Sequence, residues 1–446
     1  MKVEILDGIM GSGKSTSICK WMDDLHQTNN QERFFYISPL LSEVQEDGGR
    51  IHKQCMHVKF VSPESKGRSS KSEHLLDLLR DGVNIACTHN LYLNMNGRHF
   101  TLMKDLGYTL IIDEEIGMIG GYNKYSQSDC DFLIEQGCVT KQESDGMLVW
   151  IKESESFKNK DHKYYDFKRH VENGLIYACK ANNSMMVTQL PVKLLEVSKR
   201  VIILTYLFEG NVLSSFLKLK GIEYSPFDEV ELDYINKDTI KSLITLHKPR
   251  NYKQWKFIEE LPLTYTWYSG RTFKAEKRIT NKDVEGITKY IKSVKTTAKA
   301  DWNDVLYTFP KCRSLLDQDS RMSKINPEDL KRVEILETKK TWLASNTRAT
   351  NDLAHKWCLI HCYNRYPTQS VMVYLRDYGV EINNDVFALS EMLQWTWRSR
   401  IRCGENIYLS VVSPRMRFLF LNWLHNLPLD NTDMKLFADY LNSCKK

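Results

Sequence analysis

The sequence lacks the features of several protein classes. None of its eleven cysteines forms a C-x-x-C pair, and Cys358 and Cys362, with His361 beside the second, supply only half of a zinc site. No stretch approaches the roughly 20 apolar residues that a membrane-spanning helix needs, and the amino terminus shows no signal peptide. These absences predict a cytoplasmic protein with reduced thiols, without structural zinc and without a membrane partner.

A strong charge of one sign is also absent. The chain has 62 Lys and Arg residues against 56 Asp and Glu residues, which gives a net charge of +6. A mild excess is compatible with nucleic acid binding but does not indicate it, because local patches matter more than the total. The length of 446 residues favours two lobes, since single domains usually contain about 100 to 200 residues.

A phosphate-binding pattern begins at the eighth residue. Residues 8–15 read G-I-M-G-S-G-K-S, which matches G-x-x-x-x-G-K-[ST] at every position. Its glycines allow backbone N–H groups to converge on phosphate oxygens, Lys14 supplies a charge for the β and γ phosphates, and Ser15 supplies a hydroxyl for Mg²⁺. An apolar run before the loop and a helical stretch after it argue against a chance glycine-rich turn. The predicted nucleotide-binding residues are Gly8, Gly11, Ser12, Gly13, Lys14, Ser15 and Thr16.

Strand-loop-helix units repeat along the first half of the chain. Short apolar runs predict strands at residues 34–37, 83–87, 108–112 and 201–204. Strands that alternate with helices imply a parallel sheet, in which ligands bind at the carboxyl ends of the strands. The fold class is therefore expected to be α/β, and the polar residues that follow each run are expected to share one edge.

Two acidic residues follow the third of these runs. Asp113 comes directly after a buried strand, where folds with a phosphate-binding loop hold Mg²⁺, and Glu114 is placed to polarise the attacking water. A solvated acidic loop is the alternative, and it fits Glu115 better than its two predecessors.

Composition divides the chain into two lobes. Residues 1–224 form the predicted first lobe, and the polar, aromatic residues 120–198 form an insertion within it. The acidic residues 225–238 are the predicted linker, and residues 239–446 form the second lobe, with strands expected at 304–308 and 340–344.

A basic segment lies near the end of the second lobe. Residues 388–402 show apolar residues at helical spacing, which predicts one helix with Gln394, Arg398 and Arg402 along one row. Such a row fits either an arginine that reaches a γ-phosphate or a solvated helix face. Residues 395–417 contain five arginines and one glutamate among aromatics, which suits a nucleic acid surface and equally a core helix with a basic rim.

Taken in order, these motifs resemble those of superfamily 2 helicases, and the overall pattern is most similar to phage-encoded and viral origin-binding helicases. The matches are residues 8–15 with motif I (Walker A), Ser38 and Pro39 with motif Ia, Thr88 and His89 with the TH pair, Asp113 and Glu114 with motif II (Walker B), Thr205 with motif III, residues 306–309 with motif IV, residues 346–352 with motif V, and residues 394–402 with motif VI.

This resemblance implies two RecA-like lobes that bind ATP and Mg²⁺, with Gln394 and Arg398 completing the site. The family pattern Q-x-x-G-R-x-R has Trp397 in place of its glycine, and the second arginine is either Arg400 or Arg402. Seven residues precede the loop, so no adenine-reading Q motif is expected and ATP is the default nucleotide. The implied partner is single-stranded or tailed duplex nucleic acid, DNA rather than RNA, in phage or prophage replication, recombination or defence. The implied nucleic acid contacts are Ser38, Pro39, Thr88, His89, Asn346, Arg348 and Thr350.

Two other functions fit parts of the sequence. A switch that binds DNA or a protein partner could use ATP to close its lobes without unwinding, because motif III lacks the usual S-A-T. A nucleoside kinase shares the phosphate loop, but the tetrameric thymidine kinases are much shorter and carry a C-x-x-C zinc site that is absent from this sequence.

Overall fold

The computed structural model divides the chain into two compact units. The first unit contains Met1–Asp233 and Pro367–Asn383, and the second contains Tyr234–Tyr366 and Asn384–Lys446. The segment 367–383 thus belongs to the first unit, although the sequence on either side of it belongs to the second. The residues that the structure describes are 1–28, 31–65, 70–152, 157, 159–180, 182–183, 185–233, 236–248, 281–308, 342–345 and 352–430.

A parallel sheet of seven strands forms the centre of the first unit. Its strand order is β12-β1-β11-β5-β2-β4-β3, and every neighbouring pair is parallel. The four strands predicted in this region are confirmed with small shifts at their ends. The strands are β1 Lys2–Asp7, β2 Phe34–Ser38, β3 Phe60–Val61, β4 Asn84–Thr88, β5 Thr109–Asp113, β11 Arg200–Thr205 and β12 Tyr224–Pro226.

Both faces of this sheet are covered, which explains why its strands are almost continuously apolar. Along β5, Leu110 and Ile112 belong to one core cluster and Ile111 belongs to the cluster on the opposite face. The helices around the sheet are α1 Lys14–Thr28, α2 Leu41–Val44, α3 Arg50–Gln54, α4 Lys71–Asp81, α5 His89–Leu93, α6 Gly97–Leu106, α9 Lys193–Glu196 and α10 Val212–Leu219.

The predicted insertion has its own small sheets and core. Three antiparallel strands pair in the order β6-β10-β9, and β7 forms a hairpin with β8. Its elements are β6 Ile119–Gly121, α7 Gln127–Glu135, β7 Val139–Lys141, β8 Leu148–Trp150, α8 Tyr165–Glu172, β9 Ile176–Ala178 and β10 Met186–Gln189.

One helix from the later sequence packs on the first unit. This helix, α13 (Gln369–Asp377), buries Val371 and Leu375 in the core cluster of the first unit. Its Tyr374 hydroxyl donates to the carbonyl oxygen of Asp145 at 2.6 Å. The Asp377 carboxylate accepts a hydrogen bond from the backbone N–H of Lys180 at 2.7 Å.

A second parallel sheet, of four strands, forms the centre of the second unit. Its order is β13-β16-β15-β14, and the predicted strand at 304–308 corresponds to β14. Of the predicted strand at 340–344, Trp342 forms an isolated parallel bridge with Tyr307, and residues 340 and 341 lie outside the described residues. The elements are α11 Lys237–Leu243, β13 Ile244–Leu246, α12 Asn281–Ala298, β14 Val305–Thr308, β15 Cys358–His361, α14 Asn384–Thr396, β16 Ile407–Val411 and α15 Pro414–Leu424.

The prediction of one helix across residues 388–402 is wrong. Helix α14 ends at Thr396, and a short 3₁₀ helix, Arg400–Cys403, follows it. Ser399 has extended backbone and its hydroxyl donates to the carbonyl oxygen of Thr396 at 2.7 Å, so it caps the helix instead of continuing it. The proposed row of Gln394, Arg398 and Arg402 therefore does not lie on one helix.

Within the described residues, no helix combines the length and the apolar character that crossing a bilayer requires.

Candidate nucleotide-binding site

The phosphate-binding pattern adopts the conformation that its glycines predict. The loop joins β1 to α1, and Gly11 and Gly13 have φ angles of 88° and 78°. Glycine is the residue type that enters this left-handed region without strain. At Gly8, a side chain would overlap Leu232 and the Ser12 hydroxyl. Helix α1 begins at Lys14, so the N–H groups of its first turn face the loop, as anion binding requires.

The Lys14 ammonium lies over the loop itself. Its Nζ donates to the carbonyl oxygens of Gly8 and Ile9, the latter at 3.0 Å. The loop thus holds the Lys14 ammonium where it can reach a phosphate that binds to the loop. Lys14 is therefore placed to act as the point charge that the motif requires.

The two predicted metal ligands lie side by side, although 98 residues separate them in sequence. Ser15 Oγ is 3.4 Å from Oδ2 and 3.5 Å from Oδ1 of Asp113. A hydroxyl and a carboxylate are hard oxygen donors, which fit Mg²⁺, and this ion usually completes its shell with water and phosphate oxygens. In the described part of the chain no cluster of three or more His, Cys, Asp or Glu side chains forms a metal cage. The donor set therefore fits a magnesium ion that arrives with a nucleotide.

Glu114 has an uncommon backbone conformation. Its φ is +65°, and its N–H donates to the carbonyl oxygen of Leu204 on the neighbouring strand at 3.0 Å. A residue with a side chain is strained there, and such strain tends to occur at functional sites. Glu115 has a different role, because its carboxylate accepts from the N–H of Leu213 at 2.7 Å in the first turn of α10. The neighbouring acidic residues are thus distinct in their contacts.

A residue outside the sequence motifs fastens the loop after β11 to the start of the phosphate loop. Asp7 accepts hydrogen bonds from the backbone N–H groups of Leu207 and Phe208, both at 2.9 Å. Burial raises the pKa of Asp7, although these two donors oppose the shift. The predicted motif III residue Thr205 is adjacent, because its carbonyl oxygen accepts from the N–H of Gly8 at 3.0 Å.

Two further side chains, which no sequence motif indicates, contact Asp113. The Tyr36 hydroxyl and Arg50 Nη2 each donate to Asp113 Oδ2 at 2.6 Å, and Arg50 also pairs with Glu43. Burial and then the charge of Asp113 raise the pKa of Tyr36, so its hydroxyl stays protonated. Burial acts to lower the pKa of Arg50, but the charges of Asp113 and its neighbours outweigh it and raise this pKa. Burial also raises the pKa of Glu43, against the effect of Arg50.

An acidic segment, residues 228–233, runs along α1 and reaches the phosphate loop. The N–H of Asp233 donates to the carbonyl oxygen of Ser12 at 3.2 Å, and Ser17 Oγ donates to that of Glu231 at 3.2 Å. A Cβ at Gly13 would lie 3.2 Å from the Asp233 carboxylate. A negative charge therefore lies against the predicted phosphate-binding loop.

The predicted nucleic acid contacts are only partly brought together. Ser38 and Thr88 are register partners at the carboxyl ends of β2 and β4. Ser38 is fully buried and His89 is also buried, while Thr88 caps α5 by accepting from the N–H of Leu91 at 3.3 Å. Pro39 is half-buried beside them. Asn346, Arg348 and Thr350 lie outside the described residues.

The predicted motif VI residues all belong to the second unit. Gln394 Nε2 donates to Ser390 Oγ at 3.2 Å, and Arg398 is buried. Arg400 Nε donates to the carbonyl oxygen of Asn406 at 2.5 Å, and its guanidinium lies 5.3 Å from the centre of the Trp357 ring. Arg402 follows on the same 3₁₀ helix. Their roles in catalysis stay a prediction.

The most deeply buried basic residue of the 395–417 segment is Arg417. Arg417 is 1% exposed, and its guanidinium donates to the carbonyl oxygens of Val411 and Val412 at 3.0 and 3.1 Å. This arginine supports the end of β16 and is not available to a nucleic acid surface in this conformation.

Comparisons with known proteins place the chain in a family. A solved structure of the DUF1998 helicase MrfA bound to DNA aligns with this chain at 11% sequence identity. The alignment covers 99% of this chain and 50% of the MrfA chain, but its TM-score of 0.34 supports no assignment. This chain thus spans half the length of that protein. The family described as the YonV C-terminal Rossmann-like domain matches residues 238–424. The SPbeta prophage-derived uncharacterized protein YonV of Bacillus subtilis (strain 168) is 30% identical over 447 aligned residues, which cover 95% of this chain and 99% of that protein. The chain therefore belongs to the YonV family.

Proposed function

We propose that this chain is an ATP hydrolase that uses the energy of hydrolysis to move along or unwind nucleic acid. The observation that carries the proposal is the position of Ser15 Oγ, 3.4 Å from the Asp113 carboxylate, directly after a glycine-rich loop. A loop, a hydroxyl and a strand-end carboxylate in this arrangement match the parts of a phosphoryl-transfer site.

The residues of the first unit have distinct roles in this proposal. The loop N–H groups and Lys14 bind phosphate oxygens, and Ser15 and Asp113 hold the metal. Mg²⁺, when bound, supplies a positive charge that neutralises the phosphate oxygens. Glu114 orients a water molecule for attack, because it follows the metal ligand and its strained backbone fixes its position.

Action on nucleic acid rests on different support. The order of motifs resembles that of superfamily 2 helicases, and the half-buried Pro39 and Thr88 lie at the carboxyl ends of β2 and β4, at the same sheet edge as Asp113. Protein contacts to the sugar-phosphate backbone at such an edge allow nucleic acid to bind without sequence preference. The prophage origin of the YonV relative supports a setting in phage or prophage DNA metabolism, and therefore in the bacterial cytoplasm.

The proposal is tested by ATP hydrolysis with and without single-stranded DNA or RNA, together with strand displacement on a tailed duplex. Lys14→Ala is the negative control, since it removes the phosphate-binding cation and leaves the sheet intact. We expect hydrolysis that DNA stimulates, and displacement that Lys14→Ala abolishes. Hydrolysis without displacement would favour the ATP-driven switch instead, and absence of hydrolysis by the wild type would contradict the proposal.

A further inference from the structure

Arg50 lies outside the sequence motifs of the site, yet it contacts the carboxylate of Asp113. It is the first residue of α3, and its Nη2 donates to Asp113 Oδ2 at 2.6 Å. The side chain of Arg50 is 32% exposed, whereas that of Asp113 is 11% exposed. A guanidinium that solvent can reach thus holds a largely buried carboxylate.

The contact involves one of the two Asp113 carboxylate oxygens that face the Ser15 hydroxyl, at 3.4 and 3.5 Å. Asp113 Oδ2 is 2.6 Å from Arg50 Nη2 and 3.4 Å from Ser15 Oγ. A magnesium ion on Ser15 and Asp113 would therefore lie next to the Arg50 cation. Because like charges repel at short range, a metal ion bound there would weaken the Arg50–Asp113 pair.

A nucleoside triphosphate would offer Arg50 a better partner than the Asp113 carboxylate. In phosphoryl-transfer sites the metal ion bridges the β- and γ-phosphates, so a bound triphosphate would bring several charged oxygens near Arg50. The planar guanidinium, with its five donors, matches phosphate oxygens in a way that a single ammonium group does not. Glu43, which also pairs with Arg50, keeps the side chain on this side of the site.

The chain turns tightly just before Arg50, and the exchange requires rotation of the Arg50 side chain. A Cβ at Gly49 would overlap the carbonyl oxygen of Gln45, which shows how closely the start of α3 is packed. The long, unbranched stem of Arg50 provides the reach without movement of the helix.

We propose that Arg50 senses the terminal phosphate: it binds Asp113 in the nucleotide-free chain and transfers to the terminal phosphate when a magnesium-bound triphosphate enters. This inference rests on the proposed function and adds a residue that distinguishes a triphosphate from a diphosphate.

The test is direct binding to the full chain of two magnesium-bound nucleotides, the non-hydrolysable triphosphate AMP-PNP and ADP, measured by calorimetry. Arg50→Gln is expected to weaken AMP-PNP binding by at least about tenfold, because a charge-assisted hydrogen bond is lost. ADP binding should change by less than about threefold, since a diphosphate lacks the group that Arg50 binds. Arg50→Lys should restore part of the loss.

Arg33→Gln is the matched control, because Arg33 is half-buried in the same unit and donates to the carbonyl oxygen of Gly82 at 3.1 Å, outside the site. Equal loss of both nucleotides in Arg50→Gln, or no loss of either, would overturn the inference while leaving the proposed function in place. A wild-type chain that binds neither nucleotide would overturn both.

Discussion

At the scale of single residues, the candidate site separates two adjacent acids by their contacts. Glu114 is held in a left-handed conformation directly after Asp113, whereas Glu115 accepts from the N–H of Leu213 at 2.7 Å. These neighbours therefore provide a matched pair of substitutions in which charge and size change equally.

Glu114→Gln is expected to lower the rate of ATP hydrolysis by about 100-fold or more, since general base catalysis contributes on that order. Nucleotide binding should remain, because the loop and Lys14 are unchanged. Glu115→Gln keeps an oxygen that can accept from Leu213 and should hydrolyse ATP near the wild-type rate. Steady-state hydrolysis measures both variants, and equal loss in the two would remove Glu114 from the proposed role.

The acidic segment 228–233 leads to a second expectation. The Asp233 carboxylate lies near Gly13 of the phosphate loop, where its charge opposes that of an incoming phosphate. Asp233→Asn is expected to tighten binding of AMP-PNP by about three- to tenfold at low salt. Asp228→Asn, which changes an exposed acid of the same segment, should leave the affinity unchanged. Weaker binding in Asp233→Asn would show instead that this carboxylate helps to hold the nucleotide.

The sequence predicts the residues of the site that lie within one strand-loop-helix unit. The glycines, Lys14 and Ser15 are contiguous, and Asp113 follows a buried run that marks a strand end. Arg50 and Asp233 could not be found this way, because each reaches the site from a different element and neither stands at a position that a local pattern identifies. Only the tertiary structure brings them to Asp113 and Gly13.

At the scale of elements, buried strands were the most predictable part of the fold. Strands covered on both faces read as short apolar runs, so β2, β5 and β11 could be located from sequence alone. The end of α14 could not be located from sequence, because apolar spacing continues through Trp397. The helix ends at Thr396, whose carbonyl oxygen accepts a hydrogen bond from the Ser399 hydroxyl. A local hydrogen bond thus overrides the periodic pattern.

Strand β1 also carries a buried charge that makes stability depend on pH. Glu4 is 1% exposed and is bound by Arg200 and Lys2. Burial acts to raise the pKa of Glu4, but the bonds with these two cations outweigh it and lower the pKa. The stabilisation is therefore present above the pKa of an unfolded glutamate and is lost as pH falls through the lower value of the folded chain.

Glu4→Gln is expected to destabilise the protein by about 2 kcal/mol near neutral pH, because hydrogen bonds to a charged group are lost. The difference from the wild type should shrink below about pH 4, where glutamates become protonated. Urea denaturation followed by circular dichroism at both pH values measures this, with the exposed Glu46→Gln as control. A difference that does not vary with pH would contradict the assigned ion pair.

At the scale of the whole molecule, one helix from the later half of the sequence completes the first unit. Nothing in the sequence pattern of residues 369–377 indicates which unit this helix joins. The contacts supply that information, since Val371 and Leu375 are buried in the first core and Tyr374 binds the Asp145 carbonyl. The chain therefore passes from the second unit to the first and back.

A chain that ends after Asp233 lacks this helix and should expose the apolar surface that receives it. We expect a lower melting temperature than that of the same chain mixed with a synthetic peptide of residues 367–383. A peptide with Tyr374→Ala and Leu375→Ala should have no such effect, because it loses the anchoring side chains. Scanning fluorimetry tests this, and a melting temperature that neither peptide alters would contradict the assignment.

The measurement that tests the central claim most directly is Mg²⁺-dependent ATP hydrolysis by the wild-type chain and by Asp113→Asn. We predict hydrolysis by the wild type that stops when the metal is chelated, and a loss on the order of 100-fold in the variant, because the metal loses its protein carboxylate. Hydrolysis that is equal in the two chains, or a wild-type chain that does not hydrolyse ATP, would contradict the assignment of Ser15 and Asp113 to one phosphoryl-transfer site.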